Sequence, residues 1–166
     1  MSPPPHDDFA EVYRANGGRL VVQLYAYTQD LSLAEDLVHE AFCRALDRWP
    51  RVSRYEDPVG WVRRVAWNLA TTDWRRTRRE RQRSHELTAE PVPGPTPDRV
   101  LLVRALATLP VPLRRAVIMY YLGDMSVAEI AGVENATENA IKQRLHRGRA
   151  ILAGHLVESR PEVGNG

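Results

Sequence analysis

Residues 84 to 97 read SHELTAEPVPGPTP, with four prolines in the last seven positions and almost no apolar side chain. Proline has no backbone N–H and its ring clashes with the preceding turn, so neither a helix nor a central strand tolerates that density. The stretch reads as a flexible linker. It splits a 166-residue chain into two segments, each of which must bury a core of its own. Counted from Glu80 to Pro97 the linker has eighteen residues, and fully extended it reaches about 60 Å. The expected organisation is a first unit over 7–79, a linker over 80–97 and a second unit over 98–156.

Both flanking segments carry the helical period, and no stretch alternates as a strand does. From about Asp7 to Thr28 the apolar positions are Phe9, Val12, Tyr13, Leu20, Val21, Leu24 and Tyr25, with Gly17-Gly18 as the expected weak point. A second helix opens at SLAE, where Ser32 and Glu35 have capping-box spacing. It runs to about Arg48 and buries Ala34, Leu37, Val38, Ala41, Phe42, Ala45 and Leu46. Pro50 and Pro58 are expected to bracket a loop, and a third helix follows it, from about Val59 to Arg79. Beyond the linker, Asp98 is expected to cap a helix reaching Leu109, and Pro110 and Pro112 set up another to about Leu122. Ser126 and Glu129 form a second capping box, and a last helix runs from near Thr137 to near Gly154. The fold class is all-α, two small helical domains joined by a Pro-rich linker.

The net charge is only +2 but is unevenly spread. Residues 1 to 60 carry six arginines against ten acids, whereas residues 61 to 83 carry eight against two. A second basic cluster, Lys142, Arg144, Arg147 and Arg149, lies far along the chain. Two basic patches separated by neutral sequence suit a polyanion gripped at two places. The linker is long enough for both units to touch one duplex. A lone Cys43 cannot form an internal disulfide and fits a reducing cytoplasm. The histidines (His6, His39, His85, His146, His155) show no metal-ligand spacing. No apolar run approaches a membrane span, and the N-terminus lacks a secretory pattern.

Residues 61 to 76, WVRRVAWNLATTDWRR, hold three of the four tryptophans. At about 100° per residue, Trp61, Val62, Val65, Ala66 and Leu69 gather in one apolar arc. Trp67 and Trp74 fall on the opposite side, beside a polar strip of Arg64, Asn68, Thr71 and Arg75. The expectation is therefore that Trp61 is core and that Trp67 and Trp74 are outside it.

The strongest local signal is SVAEIAGVENATENAIKQRLHRGR, residues 126 to 149. A short capped helix, a turn and a longer basic helix have the form of a helix-turn-helix. Ala131 is the small residue that lets the two helices cross. Ile141, Leu145, Gly148 and Leu152 face inward, leaving Glu138, Asn139, Lys142, Gln143, His146 and Arg147 outward. Asn139 and Gln143 suit base edges, and Lys142, Arg144, Arg147 and Arg149 suit phosphates. Glu134 occupies a turn position where an apolar side chain normally closes the motif. Either the turn is looser here or Glu134 points to solvent. On the helix at 32–48, Glu35, Asp36, His39, Glu40, Cys43 and Asp47 line a polar side. Such a strip is ordinarily just solvated, and His39 with Cys43 is too few ligands for a metal.

These pieces, in this order, resemble bacterial extracytoplasmic-function (group 4) sigma factors over about residues 7 to 153. AEDLVHEAF (34–42) is similar to region 2.2, WVRRVAWNLATTDWRR to regions 2.3 and 2.4, and LPVPLRRAVIMYYLGDMSVAEIA with AIKQRLHRGRAIL to region 4. The resemblance implies a non-catalytic subunit that binds core RNA polymerase through the β′ clamp helices and the β flap. It also implies promoter recognition at a single-stranded −10 and a duplex −35 element. Asp36, Leu37, His39, Glu40 and Phe42 become the expected clamp contact, with His39 standing where the family usually has Gln. Arg64, Trp67, Asn68, Thr71, Arg75 and Arg76 become the expected −10 contact, with Asn68 at a position implicated in capturing an unstacked base. Extruding a base costs a few kcal/mol, and stacking on an aromatic returns about 1 to 3. Trp67 and Trp74 then either stack on that base or pack on the preceding loop. Asn139, Lys142, Gln143, Arg144, His146 and Arg147 become the expected −35 contact. An anti-sigma factor is a possible further partner.

No nucleophile–base pair, phosphate loop or metal cluster is present, so no catalytic residue, cofactor, membrane contact or small-molecule substrate is expected. The rival reading is a free-standing helix-turn-helix regulator that binds duplex DNA through residues 126 to 153. It would ordinarily need a dimer seam, and the chain has no heptad pattern to supply one. A polymerase-binding adaptor that reads no DNA is disfavoured by the basic, aromatic face at 63–76. The tail after Leu156 is too short for an additional regulatory domain.

Overall fold

A computed structural model of the protein describes the backbone of residues 5–81 and 97–158, and the side chains of 8–72 and 97–155. All regular structure among the described residues is helical, in two compact units, Met1–Gly94 and Pro95–Gly166. The linker expected over 80–97 falls mostly outside the described residues. At its edges the helices continue, the first unit's last helix to Arg81 and the second unit's first from Pro97.

The first unit comprises α1 (Pro5–Thr28), α2 (Leu31–Asp47), the short α3 (Trp49–Val52) and α4 (Pro58–Arg81). α1, α2 and α4 pack on one another, and α3 closes one end against α1 and α2. The two adjacent glycines do not break α1. Gly17 is buried, where an added Cβ would make only ordinary contact with Tyr13 and Phe42, and Gly18 faces open space. Capping of α2 differs from the expectation. Asp30, not Ser32, is the N-cap, its Oδ1 accepting from the Leu33 N–H at 3.0 Å, and Ser32 is exposed inside the helix. A carboxylate at that position satisfies an orphan N–H and faces the positive end of the helix dipole. Asp57 does the same for α4, accepting from the Gly60 N–H at 2.8 Å, with Pro58 as the first helical residue.

An aromatic cluster runs from the core of this unit, where Phe42 and Trp49 are buried, out to half-buried Phe9 and exposed Tyr13. Phe9 meets Phe42 and Trp49 edge-on, with ring centroids 6.1 and 5.3 Å apart, and Tyr13 meets Phe42 at 4.8 Å. These are the offset geometries that aromatic quadrupoles favour. Leu46, expected inside, is instead 41% exposed. It lies one turn past Phe42, on the wall of an open groove rather than in the seam that buries Ala45 and Trp49.

The second unit comprises α5 (Pro97–Ala107), α6 (Val111–Val117), a π-helical turn (Ile118–Leu122), α7 (Val127–Glu134) and α8 (Glu138–Glu158). Asp98 lies within the first turn of α5 rather than capping it. The carbonyls of Ala107, the last residue of α5, and of Leu109 just beyond it accept from Arg114 Nη2, at 3.0 and 3.1 Å. The helix expected to run unbroken to Leu122 widens after Val117, and the Gly123 N–H reaches back five residues to Ile118 O at 3.0 Å. The wider turn keeps Ile118 and Met119 in the core and leaves Tyr120 and Tyr121 outside. α6 and α8 cross so closely at Gly148 that a Cβ there would sit 2.7 Å from Val117 Cγ2.

Candidate nucleic-acid interface

The outer face of α8 is built by its entry turn. Ser126 Oγ accepts from the Glu129 N–H at 3.1 Å and the Glu129 carboxylate accepts from the Ser126 N–H at 2.7 Å, so the expected capping box starts α7. α7 ends at Asn135, whose φ of 51° puts it in the left-handed region that Asn tolerates. The Ala136 N–H returns to Ala131 O at 3.0 Å, and Thr137 Oγ1 accepts from the Ala140 N–H at 3.1 Å to open α8. The chain thus passes from α7 to α8 in three residues, Asn135 to Thr137, with the N–H groups of Asn135 and Ala136 both returned to Ala131 O.

From that start, Ile141, Leu145 and Gly148 face the core, and Leu152 is half-buried. Glu138, Asn139, Lys142, Gln143, His146 and Arg147 are all exposed on the opposite face. Two cations on α8 are engaged within the protein. Arg149 donates from Nε to Leu145 O and from Nη1 to the Tyr121 hydroxyl, each at 3.2 Å. Arg144 is half-buried, its Nη1 3.7 Å from Glu134 Oε2.

Glu134 corrects both sequence expectations for the turn, which is neither loose nor open to solvent at that residue. The Glu134 side chain is only 9% exposed, and its Oε1 accepts from Arg115 Nε at 2.8 Å and from Arg115 Nη2. Arg115 was not among the expected site residues. The signal for it was present, since two misplaced charges of opposite sign, one on an apolar-periodic helix and one at an apolar turn position, imply each other.

On α4 the buried face is rotated from the expected arc. Val62, Ala66, Trp67 and Ala70 are buried, whereas Trp61, Val65 and Leu69 are only partly so. Trp67 is fully buried and is not available to stack on a base. Its Nε1–H donates to Gln23 Oε1 at 3.3 Å, and its ring lies 5.4 Å from that of Tyr27. An indole's polar edge needs a partner when buried, and Gln23 on the neighbouring α1 provides one. Arg64 and Asn68 are exposed, and Thr71 is half-buried with its hydroxyl donating to Trp67 O at 2.8 Å. The side chains of Trp74, Arg75 and Arg76 lie outside the described residues.

On α2, Asp36, His39 and Glu40 are exposed, but Leu37 and Phe42 are buried and hold the helix rather than face a partner. Glu40 pairs with Arg44 at 2.9 Å, and Cys43 Sγ lies 3.5 Å from His39 Nε2. An apolar groove of about 320 Å³ runs between α1 and α2, lined in part by Phe9, Tyr13, Phe42 and Leu46. Tyr13 and Leu46 were not read as surface from the sequence. Among the described residues no cluster of three or more His, Cys, Asp or Glu has metal-binding geometry, and no helix is long and apolar enough to cross a membrane.

Comparison with known proteins is consistent across the two units. The family model described as Sigma-70 region 2 matches residues 12–80, and the one described as Sigma-70, region 4 matches residues 99–152. The chain is 28% identical to a probable RNA polymerase sigma factor, RfaY, of Xanthomonas campestris, covering 80% of this chain but 36% of that protein. It is 28% identical to the RNA polymerase sigma-E factor of Streptomyces coelicolor, covering 90% and 86% of the two chains. It is 27% identical to the ECF RNA polymerase sigma factor SigE of Mycolicibacterium smegmatis, covering 92% and 63%. Among solved structures, the sigma factor RpoE of Bartonella quintana, in complex with the anti-sigma factor NepR, matches with a TM-score of 0.75 at 22% identity. That match covers 92% of this chain and 99% of the other.

Proposed function

The chain belongs to the sigma-70 family of RNA polymerase sigma factors, in its extracytoplasmic-function group, and from that membership we propose how its two units divide the work of promoter recognition. It is an alternative (group 4) sigma factor that binds core RNA polymerase and directs promoter-specific initiation in the cytoplasm, as a non-catalytic subunit.

The first unit, residues 7–79, docks on the β′ clamp helices through Asp36, His39 and Glu40 on the exposed side of α2. Leu37 and Phe42 support that surface from beneath. Its α4 meets the single-stranded −10 element through Arg64, Asn68 and Thr71, with Arg75 and Arg76 on the same helix. Trp67 contributes by fixing the rotation of α4, which presents Asn68. The second unit, residues 98–156, meets the β flap and lays α8 in the major groove of the −35 duplex. There Asn139, Lys142, Gln143 and His146 face base edges and Arg147 a phosphate. The linker, residues 80–97, lets both units engage one promoter. An anti-sigma factor is a further expected partner, on the precedent of the Bartonella quintana protein.

The observation that carries this reading is the outer face of α8, where amide, imidazole and cationic side chains are exposed together behind a capped, closed turn. Major-groove readout requires that combination. A free-standing regulator would account for residues 126 to 153 and leave the first unit without a role. The test is to mix the purified chain with sigma-free core polymerase and fragmented genomic DNA from its source, then sequence the transcripts. Discrete start sites preceded by two shared motifs are expected, and polymerase binding with no specific starts would overturn the assignment. On a promoter so found, Gln143→Ala is expected to alter preference at one −35 position by about 1 to 3 kcal/mol.

A further inference from the structure

Glu134 and Arg115 stand where packing ordinarily calls for apolar side chains. Their side chains are only 9% and 7% exposed, and they join the end of α7 to the middle of α6. The two oxygens of the Glu134 carboxylate serve different helices. Oε1 takes two donors from Arg115 on α6, and Oε2 faces Arg144 on α8 at 3.7 Å.

We propose that Glu134 is a positioning residue for α8, and that Arg144 is the strut it holds rather than a phosphate ligand. The proposal rests on the reading of α8 as the −35 recognition helix. Arg115 pins Glu134, because moving the carboxylate away would give up two charge-assisted hydrogen bonds from a buried guanidinium. With Glu134 so pinned, Arg144, itself 30% exposed, has a fixed anion 3.7 Å away whose own side is largely shielded from solvent, so the attraction is less screened than on the open surface. Reaching a DNA phosphate would require giving that anion up. Lys142 and Arg147, exposed on the same helix, carry no ion pair with Glu134. The ion-pair triad thus does the work of the missing apolar closure, and adds a direct hold on the rotation of α8.

Salt dependence separates a strut from a phosphate ligand. Each phosphate contact contributes about 0.9 to the slope of log affinity against log salt, whereas a strut contributes nothing to the slope. The full-length chain is first used to enrich a duplex from a randomised 20-base-pair library, and binding of that duplex is titrated across salt. Arg147→Gln is expected to flatten the slope by about 0.9. Arg144→Gln is expected to give a line parallel to wild type, displaced to weaker binding. The double variant Arg115→Leu/Glu134→Leu replaces the buried pair with apolar groups of similar size, a change such sites often tolerate. It releases Arg144, and the slope is expected to steepen by about 0.9.

If Arg144→Gln flattens the slope as much as Arg147→Gln does, the proposal is overturned while the DNA-binding reading stands. If wild type enriches no duplex, the DNA-binding reading fails and takes the proposal with it. Should the double variant not melt cooperatively, the comparison of Arg144→Gln with Arg147→Gln decides alone.

Discussion

In the first unit α4 is held by burying Trp67, whose indole N–H donates to Gln23, whereas in the second unit α8 is held by a carboxylate shared between two guanidinium groups. Both helices present polar faces outward, so each needs something beneath it that sets its rotation. The neutral pair gains from a large apolar area and needs one hydrogen bond to complete it. The ion pair gains direction but must offset the desolvation of its charges. The difference lies in what failure looks like. Losing the indole leaves a cavity, whereas losing the carboxylate takes two charge-assisted hydrogen bonds from the buried Arg115 guanidinium.

Truncating each support tests this contrast. Trp67→Ala is expected to destabilise the first unit by about 3 to 5 kcal/mol, the range for a fully buried aromatic, measured by chemical denaturation. A loss well under 1 kcal/mol would mean that the indole is not part of the core. Glu134→Ala is expected to cost the second unit about 3 kcal/mol, because it removes the carboxylate that buried Arg115 donates to twice. If the double variant Arg115→Leu/Glu134→Leu proves as unstable as Glu134→Ala, the broken ion pair is not the cause, and the contrast between the two supports breaks.

Smaller effects sharpen the account of how α1 and α2 start and run. Asp30→Ala is expected to lower the denaturation midpoint in line with a loss of about 1 kcal/mol, as for other N-caps, while Ser32→Ala leaves it nearly unchanged. The reverse order would restore Ser32 as the cap. Gly18→Ala, at an open helical position, is expected to stabilise by about 0.5 to 1 kcal/mol through lost unfolded-state entropy. A destabilised variant would show that α1 needs its glycine.

The misreadings share a physical origin. Asp30 and Ser32 are both good caps, two residues apart, and only the backbone conformation selects between them. Trp61 and Trp67 are both large amphipathic side chains, and moving the buried face of α4 by a single residue exchanges their roles. The neighbour that decides is Gln23, forty-four residues away. Leu46 continues the apolar period of α2, but it falls on the open groove between α1 and α2, while Ala45 in the same turn is buried.

What the sequence by itself determined is local. The period of apolar residues, the Ser126–Glu129 box, the proline-dense linker and the order of the motifs depend on neighbours within a few positions, and they were enough for two all-α units and for the outward set on α8. What only the tertiary structure decided is which face of each helix meets which other helix. Trp67 is buried because α1 places Gln23 and Tyr27 against it, and Glu134 is buried because α6 brings Arg115 to it from nineteen positions earlier. A charge or an indole can be satisfied by solvent or by a partner, and its own sequence window is the same in either case. Only the folded neighbours settle whether solvent is still there.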